Sequence, residues 1–124
     1  FEAPCGQIGL SICYDLRFPE LFRAMGELDL IVLPAAFTYT TGQAHWEILL
    51  RARAIENQCY VLASAQGGRH PSGRRTWGDS MIIDPWGEVL AKAGDSEEIL
   101  QGNRETITGM QENVAPIPDL VDRA

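Results

Sequence analysis

The sequence predicts an α/β fold built on parallel strands, and three observations carry that reading. Residues 7–13 and 28–33 are short apolar runs with isoleucine and valine, strand-like in length and composition. Residues 19–26 between them read as a helix, with Pro19 suited to a first turn and Gly26 to a stop. Residues 59–65 repeat the strand pattern after a second helical segment. Strand–helix–strand at this spacing is a βαβ unit, and its strands run parallel.

The elements follow in order. Cys13 leaves the first strand in the stretch Ile8-Gly9-Leu10-Ser11-Ile12-Cys13-Tyr14-Asp15 and enters a turn before the Pro19 helix. Pro34 is expected to end the second strand, and residues 35–42 to form a threonine-rich loop. A second helix is predicted over residues 43–57, with Ala44, Ile48, Ala52 and Ile55 at helical spacing as its core face. The third strand gives way at residues 67–76 to a Gly/Arg loop carrying Arg69, Arg74 and Arg75. Residues 80–84 and 88–93 flank Pro85-Trp86-Gly87, the signature of a hairpin. An acidic turn is expected at residues 95–98 and an aperiodic tail from Gln101 onward, giving a main unit over residues 1–100 and a tail over 101–124.

Bulk properties narrow the function classes. The 124 residues suffice for one domain, and 45% hydrophobic content argues against disorder. Ten basic residues face seventeen acidic ones, for a net charge of −7 with no basic run, so nucleic acid and anionic membrane are poor partners. No apolar stretch is long enough to cross a bilayer as a helix. Three cysteines without metal-ligand spacing fit free thiols in a reducing compartment, hence a cytoplasmic location. The chain opens at Phe1 and enters core sequence at once, which suggests a cut through a larger domain.

If the first three strands are parallel, their carboxyl ends share one sheet edge, where open α/β sheets bind ligands. Cys13, the 37–45 segment and the 66–77 segment then converge. A strand–turn–helix junction lifts a side chain above that edge and turns backbone N–H groups toward it, a setting for a nucleophile. The N–H of Tyr14 is placed to meet an oxyanion. Phe37, Thr38, Thr41 and His45 are candidate substrate contacts. His45 is also a candidate base for the thiol, with a ring simply packed over the loop as its plainer reading. Glu47, in the first turns of its helix, reads plainly as an exposed acid paired with Arg51. Asp15 and Arg17 are suited to fixing the shape of the Cys13 turn.

The segments Cys13-Tyr14-Asp15-Leu16-Arg17-Phe18-Pro19-Glu20, Pro34-Ala35-Ala36-Phe37-Thr38 and Thr41-Gly42-Gln43-Ala44-His45-Trp46-Glu47 resemble the nitrilase, or carbon–nitrogen hydrolase, superfamily. So do Arg51-Ala52-Arg53-Ala54-Ile55-Glu56-Asn57-Gln58 and Ser80-Met81-Ile82-Ile83-Asp84-Pro85-Trp86-Gly87. The likeness is greatest to its amidases for deaminated glutathione, then to the ω-amidases. It implies an αββα sandwich and a Glu–Lys–Cys catalytic set acting on a small-molecule amide, with no metal or organic cofactor and a homodimeric full-length protein.

By that resemblance Cys13 is the nucleophile, and Glu47 matches a second glutamate that positions substrate and catalytic groups. The Tyr14 N–H joins the lysine in the oxyanion hole. The family's base glutamate and its lysine lie upstream of the nucleophile, so the chain corresponds to the C-terminal half of the domain. The only lysine here, Lys92, matches no catalytic position, and Asp79 stands where a histidine is commoner. Two competing readings remain: a silent fragment that only binds a partner or complementary half, and a self-sufficient Cys13–His45 hydrolase.

Overall fold

The computed structural model describes residues 1–94, so the acidic turn and the tail expected beyond them lie outside the described residues. Strand β1 (Glu2–Ala3) turns back on β2 (Gly6–Leu10), and a 3₁₀ turn (Cys13–Arg17) leads into α1 (Pro19–Ala24). Then come β3 (Leu30–Ala35), the long helix α2 (Tyr39–Asn57), and β4 (Tyr60–Ala65). Among the described residues the last elements are β5 (Gly67–Arg69), β6 (Arg75–Trp77), β7 (Met81–Ile83) and β8 (Val89–Lys92). The main sheet has the order β1-β2-β3-β4-β7-β8. As expected, β2, β3 and β4 are parallel, while β7 and β8 form the antiparallel hairpin around Pro85-Trp86-Gly87. That turn is tied by Asp84, whose Oδ1 accepts the N–H groups of Trp86 and Glu88, each at 2.9 Å.

Several elements depart from the sequence expectation. Pro34 does not end its strand: it sits inside β3, paired with Ser64. Val32 directs its carbonyl toward β2, where the Ser11 N–H meets it at 3.1 Å, and β2 has ended by the level of Pro34. The missing proline N–H therefore faces a side with no strand to bond. The 67–76 segment is no loop but the two-stranded ribbon β5–β6.

Helix α2 starts four residues earlier than predicted and buries Gly42, Trp46, Leu50, Arg53 and Ala54. The expected stripe faces outward instead: Ile48 is 68% exposed and Ile55 51%. Both stripes have helical period, but Trp46 and Leu50 remove far more apolar area from water than alanines do. Arg53, an unexpected core member, donates its Nε–H to the Leu16 carbonyl at 3.0 Å, pairs with Glu56, and lies over the Phe22 ring. It thereby fastens the 3₁₀ turn to α2 through a charge with its hydrogen bonds met.

Helices and 3₁₀ turn pack on one sheet face, with Leu16, Phe22, Ile31, Leu33, Trp46 and Leu50 at the centre of the core. Across the other face runs a register-aligned row, Leu10, Val32, Leu62, Ile82 and Ala91. Leu10 in that row is 59% exposed. The described residues thus form one α layer on one β layer, with a second sheet face that is apolar as well.

Candidate active site

The carboxyl edge of β2, β3 and β4 gathers the candidate residues. Strand β2 ends at Leu10, short of the expected residue 13, and Ser11 and Ile12 lead into the 3₁₀ turn that Cys13 opens. Cys13 is half-buried against the core and has φ +49°, in the left-handed region that a residue with a Cβ adopts at a cost of roughly 1–3 kcal/mol. Asp15 fixes this turn: its Oδ2 accepts the Ile12 N–H at 2.9 Å, and its own N–H donates to the Ile12 carbonyl at 3.0 Å. The Tyr14 N–H stands ahead of that first 3₁₀ bond, among the donors that a helix start leaves without an internal partner.

Arg17 reaches across to α2. Its guanidinium donates to Nδ1 of His45 at 2.9 Å and lies 6.0 Å from the Phe37 ring centre. Arginine is a donor only, so His45 holds Nδ1 as an acceptor. That lone pair is occupied by a permanent cation, which speaks against His45 as the base of a Cys–His pair. Phe37 is buried, its ring 5.0 Å from that of Trp46, so it forms the floor of this edge. Thr38 is exposed and caps α2 through its carbonyl, which accepts the Gly42 N–H at 2.8 Å; Thr41 is half-buried one turn on.

Glu47 lies in the third turn of α2, not the first, because the helix begins at Tyr39. Its expected partner is engaged elsewhere: Arg51 donates Nε–H to the Gly87 carbonyl at 2.7 Å. Glu47 pairs instead with Lys92, whose Nζ is 3.3 Å from Glu47 Oε2 and 3.3 Å from Asp79 Oδ2. Burial pulls the Lys92 ammonium down, but its hydrogen bonds to Glu47 and Asp79, with their charges, raise it by more. Asp79 is itself at φ +60°, and its carbonyl accepts the Trp46 indole N–H at 2.8 Å.

This Glu47–Lys92–Asp79 cluster was missed in the sequence because its members lie on α2, on β8 and in the link between β6 and β7. The spacing Met81↔Lys92 across the β7–β8 hairpin is the one signal that could have found it. His70 is half-buried and shares a 2.8 Å hydrogen bond with Thr76 Oγ1. Among the described residues no three His, Cys, Asp or Glu side chains gather as a metal site, and no helix is long and apolar enough to cross a membrane.

The sequence profile of the carbon-nitrogen hydrolase family matches residues 1–108. The chain belongs to the carbon–nitrogen hydrolase family. It is 53% identical over 112 residues to a deaminated glutathione amidase from Yersinia enterocolitica, a match covering 89% of this chain and 39% of that protein. The crystal structure of a branch 10 member of the nitrilase superfamily from Saccharomyces cerevisiae superposes with TM-score 0.70 at 36% identity, over 88% of this chain and 42% of that one.

A third match is a mutant amidase from Nesterenkonia sp. AN1, which carries the acetamide moiety of fluoroacetamide covalently added at its active-site cysteine. That match has TM-score 0.64 at 31% identity, over 73% of this chain and 35% of that one. The chain therefore spans about two fifths of the Yersinia relative's length. The fold is that of the nitrilase superfamily, of whose αββα sandwich the described residues show one helical and one sheet layer.

Proposed function

We propose that this chain is the nucleophile-bearing part of an amidase that cleaves a small-molecule amide through a thioester on Cys13. The observation that carries the reading is the left-handed backbone at Cys13, at the carboxyl edge of three parallel strands. Strain at a non-glycine residue persists only where the surroundings enforce it, and such residues cluster at reacting centres. The cysteine adduct of the Nesterenkonia amidase and the deaminated glutathione amidases among the relatives support the same chemistry.

In the proposed reaction the Cys13 thiolate adds to the amide carbon, and the Tyr14 N–H donates to the resulting oxyanion. The intermediate collapses with its nitrogen protonated, ammonia leaves, and a thioester remains. Water then adds to the thioester carbon, the thiolate is expelled and a carboxylate is released. Glu47, held by Lys92, serves as a positioning residue. The base and the oxyanion-binding lysine that the family resemblance implies would come from the segment upstream of Cys13, so the 124 residues alone are expected to be silent.

Ammonia release by the full-length protein, with hydroxylamine added to divert the thioester to a hydroxamate, tests the reading. Cys13→Ala should lower turnover by at least about a thousandfold and abolish the hydroxamate. Undiminished turnover in Cys13→Ala would refute thiol catalysis.

A further inference from the structure

The Glu47–Lys92–Asp79 cluster has one rigid member. Glu47 and Lys92 are long side chains in contact with solvent, and an exposed pair of that kind fixes little geometry by itself. Asp79 is different: its short side chain is only 13% exposed. Its backbone is held at φ +60°, a conformation that a residue with a Cβ keeps only where its surroundings enforce it.

The buried Trp46 donates its indole N–H to the Asp79 carbonyl at 2.8 Å, which ties the residue to the core side of α2. The next residue, Ser80, is clamped to the end of β4. Its Oγ accepts the Ala65 N–H at 2.8 Å and donates to the Ala65 carbonyl at 3.4 Å. The Ser80 carbonyl in turn accepts the N–H of Ala93, the residue after Lys92, at 2.9 Å. On the other side of Asp79, Gly78 lies so close to β5 that an added Cβ would stand 3.1 Å from the Gly67 Cα. The link that carries Asp79 is pinned to four elements.

Strand β8 runs the same way as β4, so Lys92 closes it at the carboxyl edge of the sheet, where Cys13 follows β2. Position can therefore pass outward from the core. The Asp79 carboxylate meets the Lys92 ammonium at 3.3 Å, and the ammonium meets Glu47 at 3.3 Å. An ammonium has three donors and serves both carboxylates together. We propose that Asp79 is a positioning residue for the reaction, acting through Lys92 to hold the Glu47 carboxylate in place. With Asp79 uncharged, Lys92 keeps only a solvent-exposed partner, and the two move together. This inference rests on the amidase reading, in which Glu47 positions the reacting groups, and supplies the fixed end that role requires.

The test is a double-mutant cycle in the full-length protein, read by ammonia release from acetamide, butyramide and succinamate. Asparagine keeps the shape of Asp79 and tolerates the left-handed region, so Asp79→Asn should fold and lose only the charge. It should lower kcat/KM by about three- to tenfold. Made in a Lys92→Met background, or in Glu47→Gln, the same change should cost less than about twofold. Equal losses in every background would overturn the proposal, because a merely structural Asp79 acts whether or not its charged neighbours are present. Undiminished kcat/KM in Asp79→Asn would overturn it too. A second readout needs no turnover: the Lys92 ammonium, followed by NMR at its Cε, should titrate lower in Asp79→Asn than in wild type. An unchanged titration would break the link between Asp79 and Lys92. Absence of ammonia from every amide with the wild type would instead defeat the amidase reading, leaving the titration to judge the cluster.

Discussion

Nζ of Lys92 lies 3.3 Å from Oε2 of Glu47, joining the last described strand to the third turn of α2. The same ammonium is 3.3 Å from Asp79, so one cation orients two carboxylates from different parts of the chain. If Glu47 positions groups in the reaction, Lys92→Met should lower kcat/KM about tenfold, through a loose carboxylate rather than a lost one. Lys92→Arg should restore most of it.

Stability should change little, by at most about 1 kcal/mol, since Lys92 and Glu47 are 44% and 40% exposed and solvent screens their pairing. The folded protein raises the Lys92 ammonium above its ordinary value of 10.5, so this small contribution is fully present below that pH and lost as pH rises through the folded value. Steady-state kinetics and denaturation of the two variants check both points; equal kcat/KM in Lys92→Met and wild type would separate Lys92 from the site.

Gly42 makes a prediction whose sign is informative. It lies inside α2, where alanine is ordinarily better than glycine by up to about 1 kcal/mol. A Cβ here would stand 2.3 Å from the Trp77 Cβ and 2.6 Å from its Cγ. Overpacking of that kind costs typically 1–3 kcal/mol, so Gly42→Ala should destabilise the protein and loosen the β5–β6 ribbon that Trp77 anchors. Urea denaturation measures the first effect. A rise in stability would mean that Trp77 is free to move aside.

The sequence disclosed the parallel β2–β3–β4 unit because short β-branched runs and Pro19 give local signals that tertiary packing has no reason to override. It also disclosed the Asp84 turn, whose side chain bonds only its own neighbours. The core face of α2 was not legible, because Ala44, Ile48, Ala52 and Ile55 have the same period as Gly42, Trp46, Leu50 and Arg53. Only the bulk of Trp46 and the unlooked-for burial of an arginine separate the two stripes. At the site, the Asp15 lock on the Cys13 turn was readable because it spans three residues. The pairs Arg17–His45 and Lys92–Glu47 were not, since they join residues 28 and 45 positions apart.

The buried thiol of Cys59 should be chemically inert in the folded protein. Cys59 is buried, and desolvation, helped by the charge of Asp29, pushes its thiol from 9.0 up to about 12. Iodoacetamide at pH 8 should therefore spare Cys59 in the folded protein and reach it only on unfolding, as peptide mass mapping would show. The folded state holds this proton more tightly than the unfolded chain does. Its stability should hence be fully present below pH 9 and decline toward pH 12 by roughly 1.4 kcal/mol per unit. Cys59→Ala should remove that component of the slope.

Backbone strain at Cys13 can be measured apart from its chemistry. Alanine and glycine both delete the sulfur, but only alanine keeps a Cβ at φ +49°. In an ordinary extended or helical position glycine is the less stable of the two, because it loses more backbone freedom on folding. In the left-handed region the Cβ penalty, about 1–2 kcal/mol, outweighs that loss. Cys13→Gly should therefore be more stable than Cys13→Ala by about 1 kcal/mol, while both are inactive. Paired denaturation curves with unchanged m-values would establish the difference. Such an outcome would mean that the protein keeps a strained turn for the sake of its thiol; a more stable Cys13→Ala would show that the turn relaxes once the sulfur is gone, and would remove strain from the case for the nucleophile.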